Sequence, residues 1–186
     1  YFCALDIGQF DRLEYVGSAC FGAIMVTKSG WEKVGPLDKK YKSYYEDADW
    51  SIRAHMAGMN ILAAPGSVVY HAFGGSYPSG LKLTFIAKNR MRFVLKNLKG
   101  KLLKTFFRKY LKHDIKSGLS FLRNRAFRNI FYYAKAYLRL IREYPGIKIN
   151  KWRFHNVSEQ DIRPFFTKGA PYVVLANRDL DPVIDR

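Results

Sequence analysis

The segment Ala23-Ile24-Met25-Val26-Thr27-Lys28-Ser29-Gly30-Trp31-Glu32 joins two patterns that predict the fold of the front of the chain. Its first four residues form a short apolar run of the kind that a buried strand uses. Ser29 and Glu32 have the spacing of a capping box, which satisfies free amides in the first turn of a helix, and Gly35-Pro36 ends that helix. A strand followed directly by a short helix is typical of α/β proteins.

The residues that follow extend this alternation. A second helix is predicted from Asp47 to Met56, because apolar side chains recur there at helical spacing and Gly58 supplies the terminating position. Two short strands are predicted around the turn Pro65-Gly66, namely Ile61–Ala64 and Val68–Tyr70. The predicted fold class is therefore α/β.

The charge of the chain is concentrated in its middle. The 186 residues carry 32 Lys and Arg against 15 Asp and Glu, and residues 99–155 alone hold 16 basic and 2 acidic side chains. An aromatic content of 16% argues against disorder, and no uncharged run approaches the roughly 18 to 20 residues of a membrane-spanning helix. We predict a catalytic part at 1–97, a basic helical extension at 98–150 and a loop-rich tail at 151–186.

The basic extension begins with a cationic amphipathic helix. From Lys101 to His113, apolar side chains recur at helical spacing and Lys or Arg occupy most of the remaining positions. A second helix is predicted from the apolar periodicity that runs from Leu119 to Ile141, and Pro145-Gly146 is predicted to end it. One interpretation of such a segment is a module without catalysis that binds nucleic acid or an anionic membrane surface. Because no nucleic-acid-binding motif accompanies the charge, the membrane is favoured, through residues 101–113.

An acidic cluster stands out in this basic chain. It is formed by Glu46, Asp47 and Asp49, beside Tyr44-Tyr45 and Trp50. One interpretation is structural, since carboxylates in a first helical turn complement the helix dipole by about 0.3 to 1 kcal/mol. The other is that a carboxylate in an aromatic-lined cleft accepts a proton from a sugar hydroxyl.

His71 follows an apolar run and precedes the glycine-containing loop 72–76. A neutral imidazole at the end of a strand can complete a metal site, and a glycine loop allows a diphosphate to approach the backbone. A half-buried histidine that donates to a loop carbonyl is an equally good interpretation. The residues alone leave both open.

Taken in order, four motifs resemble the second half of the family 2 glycosyltransferases. They cover much of residues 10–97 and look most like the rhamnosyltransferase and galactofuranosyltransferase branches. The motifs are Gly17-Ser18-Ala19-Cys20-Phe21-Gly22-Ala23, Trp31-Glu32-Lys33-Val34-Gly35-Pro36-Leu37-Asp38, Tyr44-Tyr45-Glu46-Asp47-Ala48-Asp49-Trp50-Ser51-Ile52-Arg53 and Ala64-Pro65-Gly66-Ser67-Val68-Val69-Tyr70-His71-Ala72-Phe73-Gly74-Gly75-Ser76.

The resemblance implies the C-terminal part of a Rossmann-like GT-A domain and inverting transfer of a sugar from a nucleotide-sugar donor. By the resemblance, Asp47 is the general base and His71 is a protein ligand of Mg²⁺ or Mn²⁺. The positions that match the substrate pocket are Gly17, Ser18, Glu46, Asp49 and Trp50. Among the cations after the glycine loop, Lys88, Arg90 and Arg92, the one expected to reach a phosphate is Arg90.

The chain also departs from the family, because the nucleotide-binding half that normally precedes these motifs is missing. The remaining metal ligands are expected there, so this piece alone is expected to be inactive. The implied partners are a nucleotide-sugar and a glycan or lipid-linked acceptor, as in cell wall polysaccharide biosynthesis. With only Cys3 and Cys20 in the chain and no zinc motif, the expected location is the cytoplasm, at the inner face of the cell membrane.

Overall fold

A computed structural model describes residues 11–69, 78–150 and 158–163, and helices dominate them. The strands are β1 (Glu14–Tyr15) and β2 (Leu62–Ala63). The helices are α1 (Lys28–Val34), α2 (Glu46–Met56), α3 (Ser79–Asn97), α4 (Gly100–Arg123), α5 (Phe127–Asn150) and α6 (Glu159–Ile162).

The predicted α/β fold class is wrong. Strands β1 and β2 have two residues each and pair antiparallel, with Tyr15 opposite Leu62. Within the described ranges they form the whole sheet, so these ranges contain no parallel sheet and none of the layering of a GT-A domain. The described part of the chain is predominantly helical.

The strand predicted at residues 23–26 is one reason why the predicted fold class is wrong. This apolar run is not a strand, and the side chain of Met25 is 99% exposed. The run leads instead into Thr27, the N-cap of α1, whose hydroxyl accepts a hydrogen bond from the amide of Gly30 at 3.1 Å. A short apolar run forms a strand only when a neighbouring strand pairs with it, and no strand among the described residues pairs with residues 23–26.

Helix α2 was predicted correctly. It ends at Met56, and Gly58 follows with φ of 73°, a left-handed conformation that glycine adopts without steric cost. Apart from Glu46, this helix belongs to the first of two compact units, whose described residues are 11–37, 47–69 and 158–163. Trp50, Val34, Ala54 and Ile61 form the core of that unit.

The second unit contains residues 38–46 and 78–150 among those described. In it, α3 packs against α4 and α5 around Met91, Leu140 and Ile147. Helix α5 runs through Pro145 to Asn150, so the predicted end at Pro145-Gly146 is wrong. Ile147 is buried with Met91 and Leu140, and this packing stabilises the helical turn that follows the proline.

Candidate functional site

Asp47 lies at the beginning of α2, directly after Glu46. Its carboxylate is half-buried, and its Oδ1 accepts a hydrogen bond from the amide of Ala48 at 2.7 Å. No ion pair joins Asp47 to any residue that the structure describes. Burial therefore dominates and raises the pKa of Asp47 above its ordinary value of 3.8. A raised pKa favours proton uptake by this carboxylate.

The loop before α2 has an unusual backbone. Lys42, Tyr44 and Tyr45 all have left-handed conformations, with φ of 63°, 68° and 73°. Such conformations are costly for residues with a side chain and persist only where the surroundings hold them. Asn89 of α3 does so here, because its Nδ2 donates to the carbonyls of Tyr41, Ser43 and Tyr44 at 2.9, 2.7 and 2.7 Å.

A row of three buried cations extends along α3 beside Asn89. Lys88, Arg92 and Lys96 are spaced by four residues and share one helix face. Arg92 donates to Asp38 at 2.8 Å and to Glu143 at 3.1 Å. Lys88 pairs with Glu143 at 3.2 Å, and Lys96 pairs with Asp38 at 2.9 Å. We call these five residues the α3 charge ladder.

Asp38 links the loop to this ladder, and its titration provides a test. Burial alone would raise the pKa of Asp38, but hydrogen bonds from Arg92 and Lys96 outweigh it and hold the pKa well below 3.8. The stability that the ionised carboxylate contributes is therefore present above pH 3.8 and is lost as the pH falls through the lowered pKa.

We expect Asp38→Asn to lower the free energy of unfolding by about 2 kcal/mol at pH 7, because two buried cations lose a charged acceptor. The difference in the free energy of unfolding between this variant and the parent chain should become smaller only below about pH 4. Urea denaturation from pH 3 to pH 8 measures this, with the exposed Asp11→Asn as the control. A constant difference across that range would contradict the assignment.

Asp49 and Trp50 are buried in the first unit. Asp49 Oδ2 accepts from Arg53 Nε at 3.0 Å, and Arg53 also donates to the carbonyls of Val34 and Pro36 at 2.8 and 3.0 Å. Trp50 is 2% exposed and donates from Nε1 to the carbonyl of Gly35 at 2.9 Å. Both side chains tie α2 to the end of α1, and their predicted role in the substrate pocket stays a prediction.

The predicted pocket residues Gly17 and Ser18 lie beside α2 in the same unit. The carbonyl of Gly17 accepts from His55 Nε2 at 3.1 Å, so this ring nitrogen carries the proton. Ser18 Oγ donates to Ser51 Oγ at 3.3 Å. Burial lowers the pKa of His55, so the imidazole is more readily neutral than usual. These contacts hold the two residues next to the helix that begins with Glu46 and Asp47.

Arg90 lies in the second unit, on α3. Its guanidinium is buried, pairs with Asp114 of α4 and lies 4.9 Å from the centroid of the Tyr110 ring. Tyr137 of α5 donates to the other carboxylate oxygen of Asp114 at 2.6 Å. Arg90 thereby connects three helices, and its predicted contact with a phosphate stays a prediction.

The predicted metal ligand His71 lies outside the described residues, as does Cys3. Within 11–69, 78–150 and 158–163 there is no cluster of three or more His, Cys, Asp or Glu side chains that could hold a metal ion. The Mg²⁺ or Mn²⁺ site predicted with His71 as one ligand stays a prediction.

Sequence reasoning missed Asn89 and the α3 charge ladder. The spacing of Lys88, Arg92 and Lys96 places them on one face, which was a usable signal. The partner acids lie more than 50 residues away from Arg92 in both directions, and no local pattern connects them. A cationic helix face is ordinarily solvated, so its burial was not expected.

Comparisons with protein-family models, curated proteins and solved structures find no match to this chain. Across the helices that the structure describes, none combines the length and the apolar character needed to cross a membrane.

Proposed function

We propose that this chain is the acceptor-side part of an inverting glycosyltransferase in which Asp47 is the general base. The main support is the environment of the Asp47 carboxylate. Asp47 is half-buried, its pKa is raised by burial, and no cation among the described residues neutralises it. A general base works best when its pKa lies close to the working pH, and an unpaired carboxylate remains able to take a proton.

The proposed reaction is a single displacement. The acceptor hydroxyl oxygen forms a bond to the anomeric carbon of the donor sugar while the bond from that carbon to the nucleoside diphosphate breaks. Asp47 takes the hydroxyl proton, and the diphosphate leaves with the bonding electrons. Contacts to the nucleotide are assigned to residues outside this chain.

The loop before α2 supports a binding role. Within the second unit, the half-buried rings of Tyr44 and Tyr45 lie in the loop of residues 38–46, which Asn89 holds in left-handed conformations. Backbone strain of this kind is concentrated at binding and catalytic sites. Tyrosine rings offer an apolar face to a sugar ring and a hydroxyl for hydrogen bonding.

The experiment is a release assay on the full-length protein that contains this chain. A panel of nucleotide-sugars is offered with a polyprenyl-linked glycan acceptor, and release of nucleoside diphosphate is measured against pH. Because the ionised form of Asp47 is the active one, the rate should rise with pH, with a midpoint above 3.8.

No acceptor-dependent release with any donor, or a rate that is independent of pH on the acidic side, would contradict the proposal. Incubation without acceptor is the control, since it separates transfer from simple hydrolysis of the donor.

A further inference from the structure

Five large apolar side chains are exposed around the turn that joins α4 to α5. Ile115, Leu119 and Leu122 are spaced by four and three residues and share one face of α4, and Phe127 and Phe131 are one turn apart on α5. Each is more than half exposed; Leu119, for example, is 60% exposed and Phe127 is 64% exposed. We call these five residues the α4–α5 tip.

The first half of α4 is different. Leu102 and Phe106 are buried, and the other apolar side chains of residues 101–113 are half-buried, namely Leu103, Phe107, Tyr110 and Leu111. The membrane contact expected through residues 101–113 stays a prediction. The exposed apolar side chains begin only at Ile115.

The charge around the α4–α5 tip is purely positive. Only two acidic residues occur between residues 99 and 155, and both are used internally. Asp114 pairs with Arg90, and Glu143 pairs with Lys88 and Arg92. The surroundings of the tip therefore present exposed cations and no exposed carboxylate among the described residues of α4 and α5; these cations are Lys112, Lys116, Arg123, Arg125 and Arg128.

We propose that the α4–α5 tip docks on an anionic lipid bilayer, with its apolar side chains in the interface and the surrounding cations on lipid headgroups. Charge complementarity identifies this occupant. A second copy would bring one cationic surface against another, which is unfavourable. Proteins that bind single-stranded nucleic acid stack its bases on aromatic side chains, whereas three of the five tip residues are aliphatic. Apolar side chains flanked by Lys and Arg are typical of surfaces that bind at a membrane interface.

The test uses the 186-residue chain and co-sedimentation with phosphatidylcholine vesicles, with and without phosphatidylserine. Leu119→Ser with Phe127→Ser removes apolar area, and we expect vesicle affinity to fall about 10-fold or more. Lys116→Glu with Arg123→Glu and Arg128→Glu reverses the charge, and we expect a fall of about 100-fold or more, because each cation near an anionic surface contributes about 1 kcal/mol. All of these side chains are exposed, so the variants should remain folded.

Matched controls come from the first unit and from the loop before α2. Met25→Ser with Val68→Ser removes exposed apolar area elsewhere, and Lys28→Glu with Lys33→Glu and Lys39→Glu makes the same charge change. Both should bind vesicles more tightly than the corresponding tip variants do. Equal losses would mean that net charge or general hydrophobicity determines binding, and would overturn the proposal.

Three further results would overturn it. The first is unchanged vesicle binding by the apolar tip variant. The second is a parent dimer in sedimentation equilibrium that this variant converts to a monomer, because a second copy would then cover the tip. The third is tight binding of single-stranded RNA that the same variant abolishes. None of these measurements uses sugar transfer, so failure of the proposed enzymatic function leaves the result interpretable.

Discussion

Replacing Asp47 by asparagine in the full-length protein is expected to reduce sugar transfer by about 1,000-fold. The amide keeps the size of the side chain but cannot accept the proton of the acceptor hydroxyl, and general bases contribute about 100-fold to 10,000-fold to such rates. Binding of the nucleoside diphosphate should change little, because Asp47 is not assigned to the donor. Transfer rate and diphosphate affinity, measured side by side, check this expectation.

Stability distinguishes this role from a structural one. The folded state raises the pKa of Asp47, so the carboxylate favours folding when protonated and opposes it when ionised at neutral pH. Asp47→Asn should therefore leave the urea midpoint at pH 7 unchanged or raised. A variant that both unfolds more easily and retains transfer would assign Asp47 to the structure and remove it from the chemistry.

Replacing Asp49 by asparagine should have the opposite pattern, with a loss of about 3 kcal/mol in the free energy of unfolding. Its side chain is fully buried against Arg53, and removing one partner of a buried ion pair leaves the other charge uncompensated. Arg53 would still donate to the carbonyls of Val34 and Pro36, so the chain should remain folded in the absence of urea. Urea denaturation of this variant beside Asp47→Asn measures the contrast.

Arg53→Met combined with Asp49→Asn completes the comparison. If the ion pair is the main interaction, the double variant should lose less free energy of unfolding than Asp49→Asn and Arg53→Met lose together. The difference should be about 1 kcal/mol or more. Strict additivity would show that the two side chains act independently. A loss of less than about 0.5 kcal/mol for Asp49→Asn would contradict the buried pairing.

The parts of the fold that the sequence predicted are those with a local cause. Helix α2 shows apolar side chains at helical spacing and a terminating Gly58, and both signals act within a few residues. The periodicity between residues 101 and 141 likewise indicated helix, but it placed Leu119 and Leu122 in the second helix, whereas both belong to α4. The strand at residues 23–26 failed, because strand formation depends on a partner that a single sequence does not reveal.

In the candidate site, too, the residues that the sequence predicted are those with a local signal. Asp47 was singled out by its residue type and neighbours, and its raised pKa is compatible with the predicted role without testing it. The loop that precedes it depends on Asn89, which lies 45 to 48 residues further along the chain. Left-handed conformations at Lys42, Tyr44 and Tyr45 have no signal in sequence, since glycine is the residue that normally marks them.

The α3 charge ladder has a consequence for how the second unit folds. Like charges four residues apart destabilise an isolated helix, so Lys88, Arg92 and Lys96 disfavour α3 on its own. The acids that compensate them arrive from both sides of the chain, with Asp38 54 residues before Arg92 and Glu143 51 residues after it. Pairing with Asp38 and Glu143 offsets this repulsion, so the loop of residues 38–46 and helix α5 both contribute to the stability of α3.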